Sequence, residues 1–112
     1  MMREVDYKKL GQRIRERRLT LGMTQQQIAE AIGLEPSNIS HIERGAIKTT
    51  LATLVAIANQ LETTPDLLLY DSLDYTHDLH LGELSRSIQG CSPEQLRIIA
   101  AVVKTLKTAL EE

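Results

Sequence analysis

A chain of 112 residues, 42% of them apolar, can build one ordinary core and a short extension, and its single cysteine excludes an internal disulfide framework and leaves a structural zinc site short of ligands. No run approaches the roughly 18 consecutive apolar residues of a bilayer span, and the charged start from Met1 to Glu4 lacks a signal peptide's apolar stretch. A cytoplasmic protein without membrane contact is expected. The net charge of −2 hides an asymmetry, for residues 1–60 sum to +3 and residues 61–112 to −5. That division suits a head that meets phosphate and a tail that avoids it.

With no Phe, no Trp and three Tyr, the core must be aliphatic, and the abundance of Leu, Ile and Ala predicts an all-α protein. Leu10, Ile14 and Leu21 mark a first helix over about Asp6 to Leu21, stopped by Gly22. Its arginines, Arg13, Arg15, Arg17 and Arg18, either face phosphate or form an ordinary solvated surface. Thr24 opens a second helix as its N-cap, with Gln27 three residues on to close a capping box. Ile28, Ala29 and Ile32 supply its buried stripe, and Gly33 permits a left-handed turn without a Cβ penalty. Pro36 suits the first turn of a third helix, which leaves Glu35, a poor cap, in the N-cap place. Ile39 and Ile42 then face inward, Ser37, Ser40, His41 and Arg44 face outward, and Gly45 ends the helix.

Thr50 caps a fourth helix with Leu51, Leu54, Ile57, Ala58 and Leu61 as its stripe, and Thr64-Pro65 starts a short fifth one with Leu67 and Leu68 inward. The expected organisation is a compact head over residues 1–70, an acidic, turn-like linker over 71–78, and a helical oligomerisation segment over 79–112. In that segment a helix over Leu79 to Gln89 is broken by Gly90. Ser92-Pro93-Glu94-Gln95 is a helix start with a second capping box. Leu96, Ile99, Val103, Leu106 and Leu110 follow at 3-4-3-4 spacing, the a/d seam of a coiled coil, widened by Ile98 and Val102.

Two short helices hinged at one glycine, the second with small polar groups outward, have the layout of a helix-turn-helix that enters the major groove. Residues 7–70 also resemble the Cro and phage-repressor type of helix-turn-helix domain, the Xre family. The resemblance is carried by Ile14-Arg15 with Arg18, Leu21-Gly22-Met23-Thr24-Gln25, Ile28-Ala29, Ile39-Ser40, Ile42-Glu43-Arg44-Gly45, and Leu54 with Ile57-Ala58 and Leu61. It implies a five-helix lambda-repressor-like domain followed by a helical dimerisation extension. By position it also implies that Gln25, with Gln26 beside it, meets the phosphate backbone, while Pro36, Ser37 and His41 read base edges and Asn38 and Ser40 lie nearer the backbone. Arg18 and Glu43 match a buried ion pair, and Arg44 and Lys48 match phosphate clamps.

The chain departs from better-known repressors in offering Ser37 and His41 where a bidentate Gln or Arg would read a purine strongly. Glu35 would repel phosphate or accept from a cytosine amino group. Sequence preference of this kind leans on DNA shape. No catalytic order of Ser, His and Asp, no phosphate loop and no paired acids are present, so no enzyme, cofactor or metal is expected. His77, Asp78 and His80 read as solvated groups, and Cys91 as a small turn residue more than as a redox sensor.

The tail either pairs with a second copy or folds back on its own head. Pairing predicts a homodimeric repressor on a palindromic operator, with recognition helices about 34 Å apart. The competing reading is a protein-interaction module, such as an antitoxin or a regulator whose C-terminal helix is captured by a partner protein.

Overall fold

The computed structural model describes residues 4–112, the side chain of His77 excepted. All regular structure among the described residues is helical: α1 (Tyr7–Thr20), α2 (Gln25–Ile32), α3 (Pro36–Glu43), α4 (Leu51–Gln60), α5 (Pro65–Leu68), a single 3₁₀ turn (Tyr70–Ser72), α6 (His77–Ser87) and α7 (Pro93–Glu111). They form two compact units, one ending at Thr76 and the other running from His77 to Glu112.

Local chemistry sets the boundaries of the helices. Asp6 caps α1 through Lys9, Thr24 and Gln27 form a reciprocal capping box on α2, and Thr50 caps α4 through Thr53. Each arrangement satisfies first-turn amides that have no partner within the helix. Gly33 ends α2 at φ 75°, and the Leu34 amide then donates back to the Ala29 carbonyl. At α3 Pro36 occupies the first turn, while Glu35 makes no side-chain capping bond.

The core of the first unit is an aliphatic cluster of Leu10, Ile14, Ile28, Ala29, Ile39, Ile42, Leu54, Ile57, Ala58, Leu61 and Leu68, drawn from all five helices. In it α3 packs against both α1 and α2, and α2 also packs against α4. The crossing of α1 and α3 depends on Gly11. A Cβ at that position would overlap the backbone carbonyl oxygens of Ile42 and Glu43. A glycine that weakens an isolated helix here permits backbone to meet backbone.

One buried charge pair joins the same two helices. Arg18 donates from Nε to Glu43 Oε2 at 2.7 Å and from Nη2 to Oε1 at 2.9 Å, and its Nη1 reaches the Met23 carbonyl at 3.0 Å. The two side chains are 9% and 2% exposed. Donating to the Glu43 carboxylate holds the Arg18 guanidinium more firmly protonated than usual.

The stretch expected as a linker, 71–78, is structured at both ends. Asp71 takes a two-pronged bond from Arg13, whose guanidinium also lies 4.7 Å from the centre of the Tyr70 ring, and the Asp6 amide donates to Ser72 Oγ. These contacts bind residues 70–72 to α1. At the other end α6 begins at His77 instead of Leu79 and ends at Ser87, so the irregular segment is shorter than expected. The acidic composition of the stretch concealed that one of its carboxylates has a fixed partner.

In the second unit, Gly90 turns the chain at φ 84°, and Ser92 with Gln95 forms the second capping box. The 19-residue α7 that follows has no fully buried residue.

Gly11→Ala is expected to lower stability by at least about 1–3 kcal/mol in urea denaturation, the scale for forcing atoms into a packed interior. An unchanged midpoint would contradict the α1–α3 approach. Arg18→Ala strands a buried carboxylate and should cost about 3–5 kcal/mol, whereas joint replacement by Arg18→Met and Glu43→Leu should recover most of that loss. Equal destabilisation by the single and the paired change would show that the charges are not coupled.

Candidate nucleic-acid interface

The third helix is divided lengthwise by burial. Ile39, Ile42 and Glu43 face the core, Asn38 and Ser40 are half-buried at its flanks, and Pro36, Ser37, His41 and Arg44 are exposed. Positions 37, 41 and 44 repeat at helical spacing and therefore share one outward face. That face combines a hydroxyl, an imidazole and a guanidinium, all groups able to donate hydrogen bonds. Within it Arg44 and His41 are already joined, Nη2 lying 2.8 Å from His41 Nδ1, and Arg44 Nε donates back to the Ser40 carbonyl at 3.3 Å.

Gln25 begins α2 and is half-buried. Its Nε2 donates to Glu43 Oε1 at 3.1 Å, so the first side chain of α2 is bonded to the carboxylate that also holds Arg18. Gln26 is exposed and donates to Glu30 on its own helix. Glu35 and Lys48 are exposed, one just before α3 and the other in the loop between α3 and α4.

The arginines of α1 occupy roles that composition did not disclose. Arg13 holds Asp71, and Arg17 donates to the carbonyls of Leu61 and Glu62 at 2.8 and 3.2 Å, closing the end of α4. Glu62 there adopts φ 54°, a left-handed conformation uncommon for its type. With Arg18 on Glu43, three of the four arginines are engaged inside the fold, and Arg15 is the exposed one. The arginine charge of α1 is thus chiefly structural. Spacing could not signal this, because the partners lie 58, 44 and 25 positions away.

In α7, Leu96, Val103, Leu106 and Leu110 are exposed and Ile99 is half-buried; Leu110 reaches 78% exposure. Ile98 and Val102 are exposed beside them. Cys91 is a half-buried free thiol. Among the described residues no group of three His, Cys, Asp or Glu could hold a metal ion, and the side chain of His77 lies outside them. Among the same residues no helix is long and apolar enough to cross a membrane.

A family model described as helix-turn-helix matches residues 14–68. No curated protein matches the chain. Among solved structures, the restriction-modification controller protein C.AhdI from Aeromonas hydrophila is 34% identical with a TM-score of 0.55, over 58% of this chain and 98% of its own. The P22 c2 repressor, solved with a synthetic operator, is 33% identical with a TM-score of 0.52, over 54% of this chain and 91% of its own. The SinR/SinI protein complex contains a chain 27% identical with a TM-score of 0.54, over 88% of this chain and 98% of that one. Sharing a third of the aligned residues across nearly the full length of two such regulators, the chain belongs to the helix-turn-helix family of Xre and lambda-repressor type and is a DNA-binding transcriptional regulator, not an enzyme.

Proposed function

We propose that this regulator is a cytoplasmic repressor that binds a palindromic operator as a homodimer, each head laying α3 in the major groove. The observation that carries the reading is the lengthwise division of α3: its apolar side is locked into the core while Ser37, His41 and Arg44 face outward together. In this reading Pro36, Ser37 and His41 approach base edges, with Asn38 and Ser40 at the margin. Gln25, Gln26, Arg44 and Lys48 meet phosphates, and Glu35 selects against a close phosphate or accepts from a cytosine amino group. The complex of the P22 c2 repressor with a synthetic operator supports operator binding here.

The head binds DNA and the segment from residue 79 onward joins copies. The seam of Leu96, Val103, Leu106 and Leu110, exposed around a half-buried Ile99, supports this division, since a 19-residue helix with such a face is stabilised by a second helix laid against it. A second reading is favoured by one observation. The likeness to the SinR/SinI complex extends over 88% of this chain and so beyond the head, and that structure contains two different proteins. On that reading a partner protein takes the seam.

Joint replacement of Ser37, His41 and Arg44 by Ala should weaken binding to oligonucleotides selected from a random pool by on the order of 100-fold or more, with circular dichroism and oligomer mass unchanged. Retained affinity would mean that another surface meets DNA. Ile99→Glu with Val103→Glu should halve the mass seen in sedimentation. An unchanged mass would refute pairing through α7, and a wild-type monomer would favour the captured-tail reading.

A further inference from the structure

Resting on the reading that α3 enters the major groove, we propose that Arg44 fixes the tautomer of His41 and thereby makes α3 a reader of guanine at the base pair that His41 faces. Arg44 Nη2 lies 2.8 Å from His41 Nδ1. A guanidinium carries only donors, so Nδ1 in this contact is the acceptor. A neutral imidazole that accepts at Nδ1 carries its proton on Nε2. The ring nitrogen left for a ligand is therefore a donor.

The i,i+3 spacing holds the two side chains side by side on the exposed face of α3. Arg44 is itself anchored by the bond from Nε to the Ser40 carbonyl, which leaves its Nη1 hydrogens unused in these contacts. The pair thus presents donors without an acceptor. In the major groove guanine offers two adjacent acceptors, N7 and O6; adenine sets an amino donor beside N7, cytosine offers a donor, and thymine flanks one acceptor with a methyl group. With its free nitrogen a donor, the His41 ring suits guanine and opposes adenine and cytosine, while the Nη1 hydrogens of Arg44 stay available to a phosphate. Without Arg44 the imidazole can carry its proton on either nitrogen and accept from an amino group, so Arg44 acts here as a positioning residue.

Two measurements test this. The ¹⁵N shifts of the neutral His41 ring in the free protein should report a proton on Nε2 in the wild type and a mixture of tautomers in Arg44→Ala. A proton on Nδ1, or the same ratio in both proteins, overturns the proposal. Selection from a random duplex pool should give the wild type one position per half-site where guanine is preferred about tenfold over adenine. That preference should vanish in His41→Ala and fall to about twofold in Arg44→Ala, with the remaining positions intact. An even loss of affinity in Arg44→Ala with the motif unchanged would reduce Arg44 to a phosphate anchor and overturn the proposal. So would a guanine preference that ignores His41, or a His41-dependent position that selects another base. A wild-type pool with no motif at all overturns the parent reading, and this proposal with it.

Discussion

The outward face of α3 depends on a charge pair turned inward. Glu43 lies at the end of α3, and its carboxylate receives Arg18 from α1 and Gln25 from α2, while Arg18 also holds the Met23 carbonyl between those helices. One carboxylate therefore fixes three helices relative to one another. Aliphatic contacts among Ile14, Ile28, Ile39 and Ile42 supply more of the stabilisation, because burying two charges roughly offsets their attraction. What the ion pair adds is direction. Hydrogen bonds with defined angles resist rotation of α3 about its own axis, a motion that would carry Ser37 and His41 away from their common face.

The same economy of charge runs through α1. Arg13 and Arg17 tie α1 to later parts of the head, one on Asp71 and Tyr70, the other on the carbonyls of Leu61 and Glu62 just after α4. Hydrogen bonding from Arg13 holds the Asp71 carboxyl below the usual carboxylate range. Because that pair is partly exposed, solvent screens it, and it works mainly as a tether for residues 70–72. Charges committed in this way are not available to phosphate. The exposed cations of the described head are Lys8, Lys9, Arg15, Arg44 and Lys48, a modest set.

Much of the fold was legible because its signals are local. Thr24 with Gln27 and Ser92 with Gln95 stand three residues apart, so both capping boxes could be read directly, as could the turn at Gly33 and the apolar stripes of α2 and α4, except that Leu51, expected in the α4 stripe, sits in the first turn of α4 and is 77% exposed. Long-range partners were not legible. Nothing in periodicity links Arg13 to Asp71 or Arg17 to Leu61, and an acidic stretch between helices resembles a linker whether or not one of its members is paired. Gly11 did leave a trace, lying on the apolar side of α1 between Leu10 and Ile14. Its meaning required knowing that α3 crosses there. The spacing of His41 and Arg44 was visible too, but the direction in which a guanidinium turns is decided by neighbours, here the Ser40 carbonyl and the imidazole.

The seam of α7 raises a question of occupancy that bears on regulation. Every buried member of the head's core lies between Leu10 and Leu68. An aliphatic seam left in water forfeits roughly 25 cal/mol for each Å² that could have been covered. If a second copy covers it, two heads are linked, and binding of the first raises the effective concentration of the second at the adjoining half-site. A protein that captures the seam removes that linkage without touching α3, and affinity for a two-part operator falls although each head remains intact. Homodimer and captured tail are in this sense competing occupants of one surface, and the balance between them would set how tightly the regulator holds DNA.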